Sequence, residues 1–304
     1  MKKIYLIVVL FVGLVSYAQQ DAQYTQYMYN TMSVNPAYAG SRGVFSLSAL
    51  HRSQWVGLDG APETQTFNVN APVSDKIGLG LSVVNDKIGP TSETFFDAMF
   101  SYSIETSRNG KLSFGIKGGL NLLNIDFDHL SRYQNEPTMI ENNVNSKLSP
   151  NVGAGLYYHS DKFYVGMSVP NILETKYFDN ESFSVAQEKM NFYFITGYVF
   201  DLSSSLKLKP AILTKLVSGA PLQVDVSANF TFNEKFTLGA AYRLDAAWSA
   251  LAGFNINRGT MLGFAYDKEI TELGNTSFNN GSFEILLRFE LFNRYQKLLP
   301  PRYF

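Results

Sequence analysis

The sequence predicts an all-β fold: a transmembrane antiparallel β-barrel of about 14 strands. Three observations carry that reading. The chain opens with an export signal. Its composition is 45% hydrophobic and 14% aromatic but only 17% charged, well under the roughly 25% charge usual in soluble proteins. Past the leader there are fourteen stretches of period-2 alternation and no apolar run near the ~18 residues a membrane helix needs. An exported, aromatic-rich, weakly charged chain with no helical span fits an outer-membrane barrel. A secreted β-sandwich or jelly roll shares the alternation, so strand count and loop sorting must decide.

Residues 1–18 read as a secretory signal peptide. Lys2 and Lys3 form the positive end, residues 4–15 the apolar stretch, and Ser16-Tyr17-Ala18 a small-x-small cleavage site. Cutting after Ala18 leaves Gln19 as the new N-terminus. The chain has no cysteine, which excludes a lipid-anchored N-terminus and any disulfide framework. Without Lys2 and Lys3, the 25 basic residues fall to 23 against 26 acidic, a formal charge of −3. Nothing in that balance points to nucleic acid.

Residues 21–42, DAQYTQYMYNTMSVNPAYAGSR, look like neither leader nor strand. Tyr24, Tyr27, Met28, Thr31 and Met32 fall at i, i+3, i+4, i+7 and i+8, one face of a short helix that Asp21 is placed to cap. Asn35-Pro36 ends that pattern, because proline lacks an N–H and disfavours helix in the residue before it. Ala37-Tyr38-Ala39-Gly40 then turns the chain toward the first strand. Four tyrosines and two methionines in 22 residues suit a packed surface. Residues 19–43 are therefore expected to form a helix-and-turn plug, packed into or across the periplasmic mouth with Tyr24, Tyr27, Met28 and Tyr38 buried. Burying an aromatic ring is worth on the order of 1.5–3 kcal/mol, against about 1–2 kcal/mol per ordered residue. Polar bonds to the wall or a partner must supply the rest. On that ground Tyr24, Tyr27, Met28, Asn35, Pro36 and Tyr38 are also expected to be a partner-docking surface.

The alternating segments follow in order at 44–51, 65–73, 77–84, 95–104, 111–123, 151–159 and 163–169. The second half continues at 192–200, 206–217, 222–232, 236–244, 248–256, 261–266 and 283–291. One face of each is apolar and the opposite face is rich in Gly, Ser, Thr and Asn, which predicts a polar, weakly charged lumen. Aromatic residues near strand ends (Phe45, Phe67, Tyr102, Tyr158, Phe163, Tyr198, Phe200, Phe232, Phe236, Tyr242) suit interfacial girdles. Pro210 lacks a ladder donor and predicts a bulge or local break.

The links sort by length. Those after even-numbered strands are short, such as Ser160-Asp161-Lys162 and Asn233-Glu234-Lys235. Those at 52–64, 85–94, 124–150, 170–191 and 267–282 are longer, while the links after the ninth and eleventh strands break the trend. Short turns on one side and long loops on the other mark an outer-membrane barrel, and the parity places both termini in the periplasm. That gives a barrel over 44–292 and a periplasmic tail over 293–304. Loops on a rigid scaffold are where binding concentrates. Trp55, Phe127, Tyr133, Tyr177 and Phe178 are the candidate partner-binding residues on the exterior side.

QYTQYMYNTMSVNPAYAG, at 23–40, resembles the N-terminal signature of the PorP/SprF outer-membrane proteins of Bacteroidetes-type bacteria. HRSQWVGLDGAPETQTFNVNAPV, at 51–73, is similar to that family's first hairpin. The layout of the whole chain fits, although the specific part is confined to these two stretches. The resemblance implies a barrel of roughly 14 strands without enzymatic activity, acting in type IX secretion and gliding motility. Its implied partners are secreted cargo proteins, often large adhesins with a C-terminal signal domain, and other components of the secretion machinery.

Catalytic and metal chemistry have no footing in the residues. The three histidines, His51, His129 and His159, lack metal-ligand spacing. No nucleophile elbow or phosphate loop is present. Asp126, Asp128 and His129, and the carboxylates Glu136 and Glu141, are better read as solvated loop charges than as cation sites. The expectation is a non-enzyme with no cofactor, embedded in outer-membrane lipid. Three functions remain: a secretion component, a passive pore for small solutes, and a display barrel. Fourteen strands lie between a filled interior and an open channel, and the segment at 21–42 and the tail argue against a plain porin.

Overall fold

The computed structural model describes residues 22–126, 143–173, 189–272, 274, 276 and 278–292. The alternating stretches form the strands β1 (Phe45–Ser53), β2 (Glu63–Pro72), β3 (Ile77–Ile88), β4 (Thr91–Glu105), β5 (Lys111–Ile125), β6 (Val144–His159) and β7 (Phe163–Val169). After them come β8 (Asn191–Tyr198, resumed past Val199 at Phe200–Asp201), β9 (Leu206–Val217), β10 (Gln223–Phe232) and β11 (Phe236–Arg243). The set ends with β12 (Ala247–Asn257), β13 (Thr260–Glu269) and β14 (Ser282–Leu291). Each strand pairs antiparallel with the next, and β1 pairs with β14 from Phe45↔Leu291 to Ser53↔Phe283. The sheet therefore closes on itself and has no free edge around its girth. Among the described residues, no helix is long and apolar enough to cross a membrane.

The barrel has a turn end, where short links join even strands to the next, and a loop end opposite. Phe45 and Leu291 are ladder partners, so both ends of the wall lie at the turn end. Two loops that the sequence suggested are shorter than expected. β3 and β4 continue as paired strands up to Ile88↔Thr91, leaving Gly89 and Pro90 as a tight turn in place of a loop over 85–94. β5 and β6 likewise run on to Ile125 and Val144. Their polar outer residues (Asn85, Thr94) hide the continuation from a hydrophobic pattern, because strands that outrun the apolar band keep pairing without being apolar.

Pro210 acts differently from the expectation. It stays in register in β9, opposite Ala228 of β10. The interruption falls instead on its other neighbour, β8, which lapses at Val199. The register on either side is unchanged, with Ala211↔Gly197 and Leu208↔Phe200. A missing donor removes one rung without shifting the ladder.

Side chains alternate as the pleat requires. Leu81, Phe96, Phe114, Ile116, Leu156, Phe192, Leu238 and Ile285 are exposed on the outer wall. Near the turn end Tyr198 stacks on Phe200 at 4.6 Å and Phe236 on Phe254 at 4.9 Å. Near the loop end Tyr242 meets Trp248 at 4.3 Å. These pairs form aromatic girdles at the two ends of an apolar band. The inner wall is lined by Ser46, Thr66, Asn68, Asn70, Ser101, Ser113, Ser227 and Thr231, all buried. They are buried because something fills the lumen.

Candidate functional site

The filling is residues 22–43. Tyr24, Tyr27, Met28, Met32 and Tyr38 are buried, and Asn35 and Ala37 are 0% exposed. The four residues singled out for burial are therefore inside, but the segment is not the helix their spacing suggested. It forms a turn over 25–29 and two 3-10 turns, Thr31–Ser33 and Pro36–Tyr38. It closes by i→i−3 bonds such as Tyr29 to Gln26, Ser33 to Asn30 and Val34 to Thr31. Glu284 fastens its start to the wall, the two carboxylate oxygens accepting the backbone N–H groups of Thr25 (2.9 Å) and Gln26 (2.8 Å). Asp21, expected as the helix cap, lies outside the described residues.

Nor does the segment stop at one mouth. Gln23 donates to Gln223 at the loop-end start of β10, at 2.9 Å. At the other extreme Arg42 pairs with Glu290 near the turn end. Between them the chain crosses the whole lumen. Tyr24 meets Thr66 of β2 at 2.8 Å, and Asn68 donates to Asn30 at 2.6 Å. The Tyr29 ring lies near both Lys209 of β9 (5.5 Å) and Arg288 of β14 (5.7 Å), two strands that are not neighbours in the wall.

Residues 34–39 sit more tightly. Ser168 donates to the Val34 carbonyl and Ser101 to the Ala39 carbonyl, both at 2.6 Å. Asn35 donates to the Leu156 carbonyl (2.9 Å) and caps the turn by accepting from the Ala37 N–H (2.9 Å). The turn rests on glycines of the inner wall. A Cβ on Gly115 would collide with the backbone of Pro36 and Ala37, and one on Gly78 with the Ala39 carbonyl. Tyr38 meets Tyr157 edge-on at 5.4 Å, and Tyr157 meets Tyr164 at 5.9 Å. Gly40, with φ +72, then turns the chain toward β1 where a side chain would strike Gly78.

The lumen is more highly charged than its Ser, Thr and Asn suggested. Arg52 of β1, 2% exposed, pairs with Asp267 of β13 (2.7 Å) and Glu284 of β14 (3.1 Å), and also donates to Thr25 Oγ1 at 3.0 Å. Thr25 in turn donates to Asp267 at 2.6 Å. Lys117 pairs with Asp97 (3.1 Å), and Arg243 with Asp225 (2.6 Å). The readable signal was charge at inward positions of otherwise apolar strands, as in the alternation of Glu284, Arg288 and Glu290 within β14. Charge summed over the whole chain hides it. Among the described residues no three acidic, His or Cys groups come together to hold a metal.

At the loop end, Trp55 (φ 47) is half-buried, its indole N–H donating to Glu269. The link it belongs to is tied down on both sides. Val56 exchanges backbone bonds with Gly281 (2.9 Å) and Asn280 (2.8 Å), and Gly89 donates to Gly60 at 2.9 Å. Val56 and Phe278 are exposed apolar groups on this lip, which the sequence reading passed over. A lone Phe in an Asn- and Gly-rich link was the available sign. Phe127, Tyr133, Tyr177 and Phe178 lie outside the described residues. The expectation that Tyr24, Tyr27, Met28, Asn35, Pro36 and Tyr38 also dock a partner would require the segment to leave its seat.

A closed 14-strand antiparallel wall, apolar outside and girdled by aromatics, makes this an outer-membrane β-barrel protein. One solved barrel shares this fold. The CymD monoaromatic hydrocarbon channel superposes with TM-score 0.52 at 10% identity, over 88% of this chain and 94% of that one. The outer membrane protein Omp33 of Acinetobacter baumannii gives 0.47 at 9% identity, over 82% and 99%. A Pseudomonas aeruginosa FadL homologue gives 0.43 at 12%, over 82% and 89%. At 10% identity the likeness to CymD is one of fold alone. No curated protein matches the chain. The family model for the type IX secretion system membrane protein PorP/SprF matches residues 16–289. The chain belongs to that family and is a membrane component of type IX secretion.

Proposed function

We propose that this barrel binds particular secreted proteins through their C-terminal signal domain and helps export or anchor them at the cell surface. In this reading the loop end faces outward and holds the cargo, through Trp55 and the links over 124–150 and 170–191. The turn end faces the periplasm and meets other secretion components. Residues 1–18 are removed on export, 293–304 form the periplasmic tail, and the protein is not an enzyme.

One observation supports this over the passive solute pore: residues 22–43 run through the lumen from Gln23 at one end to Arg42 at the other. A porin needs a clear bore, whereas a binding platform needs a rigid wall and a presented rim. The lip joining Val56 to Asn280 and Gly281 is such a rim.

The test is to delete the gene and purify the tagged protein from cells. The reading predicts co-purification of a secreted protein bearing a C-terminal signal domain, together with loss of that protein from the surface in the deletion strain. Normal display of every such protein in the deletion strain would defeat it.

A further inference from the structure

The two halves of the luminal segment are held by different kinds of contact. Residues 34–39 are in backbone contact with the wall. The Pro36–Tyr38 turn packs against β4, β5 and β6, and the nearest atoms at the Gly115 and Gly78 positions belong to the backbone of residues 37 and 39. No local adjustment frees that stretch. Residues 22–33 instead reach the wall mainly through side-chain ends, apart from the backbone N–H groups of Thr25 and Gln26 held by Glu284. At Gly263 the nearest group is the tip of Gln26, and at Gly80 the tip of Met32. Their other attachments are bonds to carboxylate, hydroxyl and amide groups: Thr25 and Gln26 to Glu284, Thr25 to Asp267, Asn30 to Asn68 and Tyr27 to Ser227. Water can take over these bonds, since folding only exchanges hydrogen bonds to water for internal ones, and those to the Glu284 and Asp267 carboxylates hold most firmly.

The surroundings of this arm already contain polar atoms without protein partners: Asn68 Oδ1, both side-chain ends of Asn229, Gln26 Nε2, Asn30 Nδ2, Asp267 Oδ1 and Arg52 Nε. The wall around it is mixed: Leu50, Ile195, Leu213, Leu251 and Leu286 share a buried apolar cluster with the arm, while Thr66, Asn68 and Asn70 on β2 and Ser227, Asn229 and Thr231 on β10 form two polar strips. A wholly apolar seat would stay dry when vacated; the polar strips give water a path here.

We propose that residues 34–39 are a fixed seat and residues 22–33 a hinged arm whose displacement opens an aqueous path for inorganic ions and small hydrophilic solutes. The fastening is the cluster of Arg52, Asp267 and Glu284 around Thr25. This gated conductance is a separate activity from cargo binding and stands or falls without it.

The chain contains no cysteine, so introduced thiols report cleanly. The experiment is planar-bilayer current in potassium chloride for the full mature chain, for Glu284→Gln, and for Glu284→Gln carrying Q23C/Q223C with and without a short thiol cross-linker. Thr25→Val, which removes the bonds to Asp267 and Arg52 without touching the wall, backs up Glu284→Gln should that variant fold poorly. The expected result is at least a tenfold higher time-averaged current in Glu284→Gln or Thr25→Val than in the unaltered chain. Bridging positions 23 and 223 should return the current to baseline, and leaving the thiols unbridged should not. Equal currents in all forms, or a raised current that ignores the bridge, would overturn the proposal.

Discussion

Replacing Gly115 with alanine tests whether the luminal segment is built into the fold. The added Cβ would sit within collision distance of Ala37 N, Ala37 Cα and the Pro36 carbonyl carbon. All three are backbone, and the turn carrying them is bonded to Leu156, Ser101 and Ser168. Overpacking of this kind costs about 1–3 kcal/mol. The same change should cost almost nothing once residues 22–39 are deleted, because the space then opens. Gly118, three positions on in β5 but facing outward, has nothing within 4 Å of a built Cβ and serves as the control. Urea unfolding in detergent, followed by fluorescence of the two tryptophans, gives the four free energies of the cycle. A coupling of about 1–3 kcal/mol between Gly115→Ala and the deletion is expected for a residue pair in contact. An equal loss in both backgrounds would refute the packing argument.

Three other outcomes follow from the structure. Arg52→Met removes the cation paired with both Asp267 and Glu284 and should destabilise by about 3–5 kcal/mol, as stranding buried charge does; R52M/D267N/E284Q should recover much of that loss in the same urea assay. Ile116→Arg puts a cation on the outer wall at a position 61% exposed to the membrane side, and unfolding from lipid vesicles should show a loss of about 2–4 kcal/mol if it lies near mid-bilayer. Deleting residues 127–142 or 174–188 should leave heat-modifiable barrel bands on gels unchanged while lowering surface display of one cargo, and undiminished display in both deletions would count against the loop assignment.

Much of this fold was legible because a barrel wall is written in period two. Phe96, Ala98, Phe100, Tyr102 and Ile104 alternate with inward residues, and a one-residue slip would turn all of them inward. The burial of Tyr24, Tyr27, Met28 and Tyr38 was readable from aromatic density. Their path was not. Spacing of i, i+3 and i+4 describes a stripe only if the backbone is helical, and here the partner of the Thr25 and Gln26 amides is Glu284, about 260 residues away (|i−j| of 259 and 258). No local pattern encodes that. The extended ends of β3 and β4 escaped for a different reason, since Asn85 and Thr94 pair across a hydrogen bond of 2.9 Å where the hydrophobic signal has already faded. The pairing of Arg52 with Asp267 and Glu284 likewise needs the closure of β1 on β14, which only the folded barrel supplies.

The most direct measurement of the central claim is site-specific photo-crosslinking in living cells, with the probe at Val56 on the loop-end lip or at Leu202 in a turn-end link, both exposed. The account predicts that the Val56 probe captures a secreted protein through its C-terminal signal domain and that the Leu202 probe captures secretion-machinery subunits instead. Capture of the signal domain only from Leu202, or from neither position while the cargo is being displayed, would contradict it.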